Sequence, residues 1–373
     1  MRAVQANHQK SSRGCDERSS MTRVDRVRAL LAGQHLDAIL IHNPENRTYL
    51  TGFVGSAGVA LVTGRETLLL VDFRYVEQAA AEAPGWEVVQ VPRQATDIVT
   101  EIARGRELRR VGFESDGLTY KQYDELAVAL RPTELVPVAG VDRLRWIKDA
   151  DELARIRTAV AIADAGFTHI QGYLRPGVQE REIALELEFY MRRQGADKEA
   201  FETIVASGVR SSLPHGRASE RVLGGDEFVT LDFGAVVRGY HSDCTRTVVI
   251  GDASPRHREI YDLVLAAQRA ALQGIRPGIA GRDADALARR VITEAGQGDH
   301  FGHGLGHGVG LAIHEGPTLS PREEATLEAG MVVTVEPGVY LPGWGGVRIE
   351  DLVVITPDGC DDLTAAPKHL MEL

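Results

Sequence analysis

From residue 21 onward, apolar positions fall into short blocks whose period changes repeatedly. Arg23 to Ala32 reads as a helix, with Gly33 placed to end it. Asp37–His42 (DAILIH) reads as a buried strand, punctuated by Asn43-Pro44. Val59–Thr63 and Thr67–Asp72 predict two strands around a Gly64-Arg65 turn, on β-branched and leucine content. Arg74 to Ala83 predicts a helix, Trp86–Val91 and Arg109–Glu114 predict strands, and Tyr120–Leu130 predicts a helix. Strands alternating with helices in this way make residues 21–147 a small α/β domain.

The texture changes near residue 145. Asp149 followed three residues later by Glu152 has the form of a capping box, and a long amphipathic helix then runs to about Gly172. A domain boundary is placed here, with residues 148–373 as a second domain. That domain repeats itself. Leu174-Arg175-Pro176-Gly177-Val178 returns as Ile275-Arg276-Pro277-Gly278-Ile279, 101 residues later. Val229-Thr230-Leu231-Asp232-Phe233-Gly234 returns as Val333-Thr334-Val335-Glu336-Pro337-Gly338 at an offset of 104. Asp243 and Glu350 each precede a β-rich run. Ordered matches with a slowly drifting offset imply two related halves about a pseudo-twofold axis, each contributing two carboxylates to one place.

Phe228 to Ile250 predicts a β-hairpin turning at Arg238-Gly239, which brings Asp232 and Asp243 close on neighbouring strands. Glu336 and Glu350 sit in equally apolar runs, MVVTVEPGVY and VRIEDLVVI. Carboxylates held together in a sheet do not all ionise without a cation, and charged residues are rarely buried unless paired. Arg348 can serve one of the second pair. Four carboxylates in all call for metal, and two divalent ions balance them. Phe301 to Pro317 (FGHGLGHGVGLAIHEGP) adds His303, His307 and His314 among glycines. Histidine is a common metal ligand and titrates near neutrality, so the stretch suggests a metal or acid–base site.

Bulk properties narrow the class. At 373 residues the chain accommodates two domains, and its 43% hydrophobic and 25% charged content is that of a globular protein. The net charge of −11 argues against nucleic acid as a partner. No apolar run approaches a membrane span. Cys15, Cys244 and Cys360 are few and scattered, which fits a reducing, cytoplasmic compartment without a disulfide framework. Cys244, next to Asp243, points to the opposite face of its strand and reads as core. Residues 1–20 lack an apolar segment of signal-peptide type and read as a disordered or non-native tail.

The order Asp232, Asp243, His307, Glu336, Glu350 resembles the ligand order of the pita-bread metallopeptidases. The HGxGH spacing of His303 and His307, the HExP-type sequence at His314 and the segment Ser207-Gly208 to Pro214-His215-Gly216 are similar to the Xaa-Pro branch, aminopeptidase P and prolidase. The first domain is similar to the creatinase N-terminal domain. The resemblance spans about residues 22–373. It implies that Asp232 binds one ion, that Asp243 and Glu350 bridge both, and that His307 and Glu336 complete the other. It implies Mn2+ as the metal, with Co2+ or Zn2+ as alternatives, and an oxygen-rich set with one imidazole suits that choice. Glu336 is implied as proton shuttle. His215 and His314 are implied as contacts to the substrate carbonyl, and His303, Tyr340 and Arg348 as lining the proline pocket. A homodimer is expected from the same resemblance.

Two activities compete within this branch. Aminopeptidase P removes the residue before proline from longer peptides, whereas prolidase takes Xaa-Pro dipeptides. The aminopeptidase is favoured because no carboxylate-capturing arginine stands out, Arg74 and Arg210 being the candidates. A non-catalytic pita-bread binding module is disfavoured because all five ligand positions are intact, and methionine aminopeptidase because of the extra N-terminal domain.

Overall fold

The computed structural model describes residues 21–373, so the reading of residues 1–20 as a tail lies outside the described part. Two compact units divide between Arg145 and Trp146. Each is built around its own core.

The first unit is a six-stranded mixed sheet flanked by helices. In chain order it comprises α1 (Arg23–Gln34), β1 (Ala38–Ile41), α2 (Pro44–Thr51), β2 (Val59–Thr63), β3 (Thr67–Val71), α3 (Val76–Glu82), β4 (Glu87–Gln90), α4 (Ala95–Gly105), β5 (Arg110–Glu114), α5 (Tyr120–Ala129) and β6 (Glu134–Val138). The sheet order is β4-β3-β2-β1-β5-β6. Leu40, Leu61, Leu70, Val99, Val111 and Leu126 share one buried cluster, each contributing roughly 1.5–3 kcal/mol by burial.

Three elements of this unit lie outside the segments that the sequence reading assigns. Asn43-Pro44 opens α2 rather than merely ending β1: Asn43 accepts from the Asn46 N–H, and Pro44 occupies the first turn. The missing N–H of proline costs nothing there. Helix α4 lacks a side-chain cap. Strand β6 contains Pro137 and lies at the sheet edge, beside β5, the position where a strand tolerates proline.

The second unit opens on α6 (Ala150–Ile170), whose Asp149–Glu152 capping box is formed as the sequence suggests. It continues through α7 (Glu180–Arg193), β7 (Lys198–Glu199), β8 (Ile204–Ser207), β9 (Glu227–Phe233), β10 (Ala235–Val237), β11 (Tyr240–His241) and β12 (Cys244–Ile250). The second half follows with α8 (Pro255–Gly274), α9 (Gly281–Glu294), β13 (Gly306–Gly308), β14 (Glu315–Leu319), β15 (Val332–Val335), β16 (Gly338–Leu341), β17 (Gly345–Arg348), β18 (Asp351–Ile355) and β19 (Cys360–Asp362).

The internal repeat is visible bond by bond. Gly177 N–H donates to Leu223 O, and Gly278 N–H to Leu327 O. Glu180 N–H donates to Arg221 O, and Gly281 N–H to Ala325 O. Arg181 N–H donates to Ser219 O, and Arg282 N–H to Glu323 O. Donors recur at the offset of the Arg-Pro-Gly turns and acceptors at the offset of the strands, so both sequence offsets describe one structural repeat. Leu187, Leu231 and Cys244 pack in the core of the first half, and Val264, Ala288, Val333 and Val353 in that of the second. Central strands from the two halves, β9–β12 and β15–β18, bring their carboxylate-bearing ends together.

Candidate metal centre

The first pair of carboxylates is set by a hairpin. Arg238 and Gly239 both adopt positive φ, 49° and 82°, as a tight connection between twisted strands requires. Below that turn β9 and β12 pair with Thr245 opposite Asp232, so Asp243 is offset by two residues. In the second half β15 and β18 pair with Val335 opposite Asp351, which puts Glu336 and Glu350 at the adjoining strand ends. Two threonines hold these acids, Thr245 from across the repeat and Thr334 from within the second half. Thr245 donates its hydroxyl to Glu350 Oε2 at 2.6 Å, and Thr334 donates to Glu336 Oε1 at 3.1 Å.

The glycines of the histidine-rich stretch answer to space. A Cβ at Gly306 would lie 2.1 Å from Thr334 O, and one at Gly308 2.3 Å from Gly316 O. Only bare backbone lets β13 run between β14 and β15 and present His307. The Thr334 hydroxyl accepts from the His307 N–H at 3.0 Å. His307 Nδ1 sits 3.1 Å from Gly308 O; a carbonyl only accepts, so Nδ1 carries the proton and the Nε2 lone pair faces outward. That nitrogen lies 3.4 Å from Glu336 Oε1 and 3.6 Å from Asp243 Oδ2. Ligand atoms of Asp243, His307 and Glu350 all lie within 4.8 Å of one another.

Arg348, paired with Asp232, is too little positive charge for this arrangement of acids. Burial, then Glu350 and Asp232, push the Asp243 carboxyl well above the usual range. Burial, then Glu336 and Asp232, do the same to Glu350, and burial raises Glu336. Burial also lowers His303, His307 and His314, which disfavours imidazolium as the counter-charge. Asp232 Oδ1 is buried without a hydrogen-bond partner. An imidazole lone pair facing carboxylate oxygens, beside an orphaned carboxylate oxygen, is a donor set that fits divalent cations.

Around the acids the other predicted residues form a second ring. Arg348 donates to Asp232 Oδ2 at 2.6 Å, to Tyr340 OH at 2.8 Å and to Pro214 O at 3.1 Å. The expectation that Arg348 serves a second-half carboxylate is thus corrected: its ion-pair partner is Asp232, across the repeat. His303 Nε2 lies 2.9 Å from Tyr340 OH. Burial pushes the Tyr340 phenol up to about 12, so it stays protonated. The His307 and His314 rings meet edge-on with centroids 4.3 Å apart. His215, His303, His314, Tyr340 and Arg348 line one cavity of about 810 Å³ with Asp232, Asp243, His307, Glu336 and Glu350. All ten sequence-selected residues therefore meet in one place.

Several supporting residues escaped the sequence reading. Glu180 is fully buried and accepts from the Ser207 N–H and hydroxyl, the Ser219 N–H and hydroxyl, and Arg210. It clamps both ends of the loop that carries His215. Its place at the start of α7 looks, in sequence, like an ordinary first-turn acid. Arg210 is thereby engaged in the clamp, and its other terminal nitrogen bonds Arg217 O at 2.7 Å, so it is a poor candidate for capturing substrate. Arg74 is held by Asp72 through two hydrogen bonds. Lys148 Nζ meets Glu315 Oε1 at 2.7 Å, with both side chains buried, and this fastens the residue after His314. Asp285 accepts from the Leu305 N–H at 3.0 Å and steadies the His303 loop. Cys244 points into the core, as strand alternation requires.

A twofold-repeated sheet that gathers four carboxylates and one imidazole around a cavity has the architecture of the pita-bread class, with a donor set that could hold divalent metal. The description metallopeptidase family M24 matches residues 154–357, and creatinase/prolidase N-terminal domain matches residues 23–147. The chain belongs to that metallopeptidase family, in its aminopeptidase P and prolidase branch. A solved Xaa-Pro dipeptidase from Bacillus anthracis is 47% identical, with TM-score 0.92, covering 94% of this chain and 99% of that one. An X-Pro aminopeptidase structure from Thermotoga maritima is 37% identical, with TM-score 0.87, covering 95% and 100%. An Xaa-Pro dipeptidase of Pyrococcus horikoshii is 38% identical over 94% of this chain and 98% of its own length. Among the described residues, no helix is long and apolar enough to cross a membrane.

Proposed function

We propose that the chain is an Xaa-Pro dipeptidase using two divalent ions, Mn2+ first among them. The observation that carries the metal assignment is the buried, partnerless Asp232 Oδ1 within a cluster of carboxylates turned toward the His307 lone pair. Asp232, Asp243, His307, Glu336 and Glu350 would hold the ions. Bound there, divalent cations supply Lewis acidity that activates water and polarises the scissile carbonyl.

The chain's own groups account for the rest of the reaction. Glu336, held on one oxygen by Thr334, has its other oxygen to accept the proton of attacking water and pass it to the leaving proline nitrogen. His215 and His314 face the developing charge on the carbonyl oxygen. His303, Tyr340 and Arg348, joined in one hydrogen-bonded chain, form the wall against which a rigid pyrrolidine ring packs. A tertiary amide with a fixed ring needs such a dedicated wall.

The dipeptidase is preferred over the aminopeptidase on the names of the similar proteins from Bacillus anthracis and Pyrococcus horikoshii. The aminopeptidase remains the second reading, on the Thermotoga maritima likeness. Cleavage of Xaa-Pro and Xaa-Pro-Xaa peptides with Mn2+ present separates them. Preferential cleavage of the dipeptide is expected, and preferential cleavage of the tripeptide would select the second reading. His215→Ala should keep metal content while lowering kcat; loss of metal would make His215 a ligand instead.

A further inference from the structure

Every second residue from Gly302 to Gly306 is glycine, and His303 stands between two of them. Glycine backbone is permissive, so such a segment does not hold an imidazole in one orientation by itself. The residues between and before the glycines, Phe301, His303 and Leu305, are fastened from outside. Arg289 donates through Nη1 to Phe301 O at 2.8 Å and through Nη2 to His303 O at 2.7 Å. Asp285 accepts from the Leu305 N–H at 3.0 Å, and from Arg289 Nε and Nη2 at 2.6 and 2.8 Å. Asp285 and Arg289 both lie on α9, four residues apart. The acid precedes the base, which is the better order for such a pair.

These bonds bear on the His303 ring in three ways. The Arg289 guanidinium lies 4.2 Å from the centroid of the buried Phe301 ring. That ring meets His303 edge-on, with centroids 5.1 Å apart. His303 Nδ1 sits 2.8 Å from Gly304 O; a carbonyl only accepts, so Nδ1 carries the proton and Nε2 accepts from Tyr340 OH. Gly304 O and the Leu305 N–H belong to one planar peptide. Asp285 thus fixes the carbonyl that sets the His303 tautomer, while Arg289 fixes His303 O.

The two sides of the segment face different cavities. Gly302, His303 and Gly304 line the cavity that contains the acids. Asp285 and Arg289 line a second one, of about 570 Å³, and the Arg289 side chain is 26% exposed. A guanidinium removed by mutation can therefore be replaced from solvent without entering the substrate's path.

We propose that Arg289, oriented by Asp285, is a positioning residue for proline specificity, setting the His303 imidazole against the pyrrolidine ring of the substrate. This rests on the reading of His303 as part of the proline wall.

The test measures kcat and KM on an Xaa-Pro dipeptide and the matching Xaa-Ala dipeptide. It compares Mn2+-loaded wild type, Arg289→Ala, Arg289→Lys, His303→Ala and the Arg289→Ala/His303→Ala double variant. For Arg289→Ala we expect the preference for Xaa-Pro over Xaa-Ala to fall about 10-fold, with metal content unchanged. Arg289→Lys keeps a cation beside Asp285 but not the fork that spans two carbonyls, so its preference should fall less; it carries the test should the alanine variant not fold. The double variant should show no less preference than His303→Ala alone, because Arg289 acts through His303. Guanidinium ion at millimolar concentration, far below the molar range that unfolds proteins, should restore the preference of Arg289→Ala and leave the wild type and the double variant unchanged. Equal losses on both substrates in the Arg289 variants would mark a merely structural role and overturn the proposal, as would a double variant with less preference than His303→Ala; the Xaa-Pro reading would stand. If the wild type does not prefer Xaa-Pro, that reading falls and takes the proposal with it.

Discussion

Arg348 and Asp232 are joined at 2.6 Å across the two halves of the repeat. Asp232 is left with one oxygen bonded and the other, buried, without a partner. Burial alone would push Arg348 down, but Tyr340 and the surrounding carboxylates keep it firmly charged. The guanidinium thus supplies fixed positive charge to one side of the acid cluster, and the opposite side is left for metal.

Arg348→Ala should therefore damage more than the substrate wall. It leaves Asp232 without its counter-charge and Tyr340 OH without its donor. Breaking a buried pair from one side costs about 3–5 kcal/mol, to be read as a lowered Tm. Activity should fall at least about 100-fold, since each hydrogen bond removed from the wall is worth about tenfold. Wild-type Tm and turnover in this variant would show the pair to be incidental.

Glu350→Gln and Asp243→Asn should separate stability from metal binding. Each removes one charge from a crowded, repelling set, so the metal-free protein should melt at an equal or higher temperature than the wild type. The same variants should lose the rise in Tm that divalent metal gives by binding the native state, along with at least one equivalent of metal in calorimetric titration. A variant that still binds two ions with wild-type affinity would sink the assignment of that residue as a bridge.

Glu180→Gln tests the clamp on the His215 loop. The amide keeps the shape but loses the charge that Arg210 and four serine donors share. Faster proteolysis within residues 208–219 is expected, with lower kcat and unchanged metal stoichiometry. A cost of about 3 kcal/mol in stability is consistent with one-sided loss of a buried ion pair. Unaltered proteolysis and kcat would show that the loop holds its shape without the clamp.

His42 gives the first unit a pH dependence remote from the metal centre. Burial, reinforced by Arg47, lowers its imidazole to about 4 from the ordinary 6.5. The backbone N–H of His42 donates to Glu114, whose own carboxyl is raised by burial. A depressed histidine stabilises the fold above the unfolded pKa of 6.5, and the contribution is lost as pH falls toward 4. Roughly 2 kcal/mol is at stake, below the full shift because the ring is only part-buried. His42→Gln should flatten the fall in Tm between pH 6.5 and 4; an unchanged slope would assign the acid sensitivity to other groups.

Much of this protein was determined by its sequence because chemistry and periodicity pointed the same way. Two Arg-Pro-Gly turns, two strand motifs and four acids in apolar runs announced a doubled fold, since buried carboxylates make sense only when they converge. Asp149 and Glu152 marked their helix start because a capping box is local. What only the tertiary structure decided depends on contacts between distant segments. Glu180 anchors a loop some 30 residues on, and nothing nearby distinguishes it from a first-turn acid. Arg348 chose Asp232, 116 residues away, over the acids beside it, because strand register rather than sequence distance sets which side chains meet. Arg217 reads as one more surface charge until pairing with Ile204, itself opposite Asp232, puts it on the cavity wall. Pairing between strands is a property of the assembled sheet, and no window along the chain contains it.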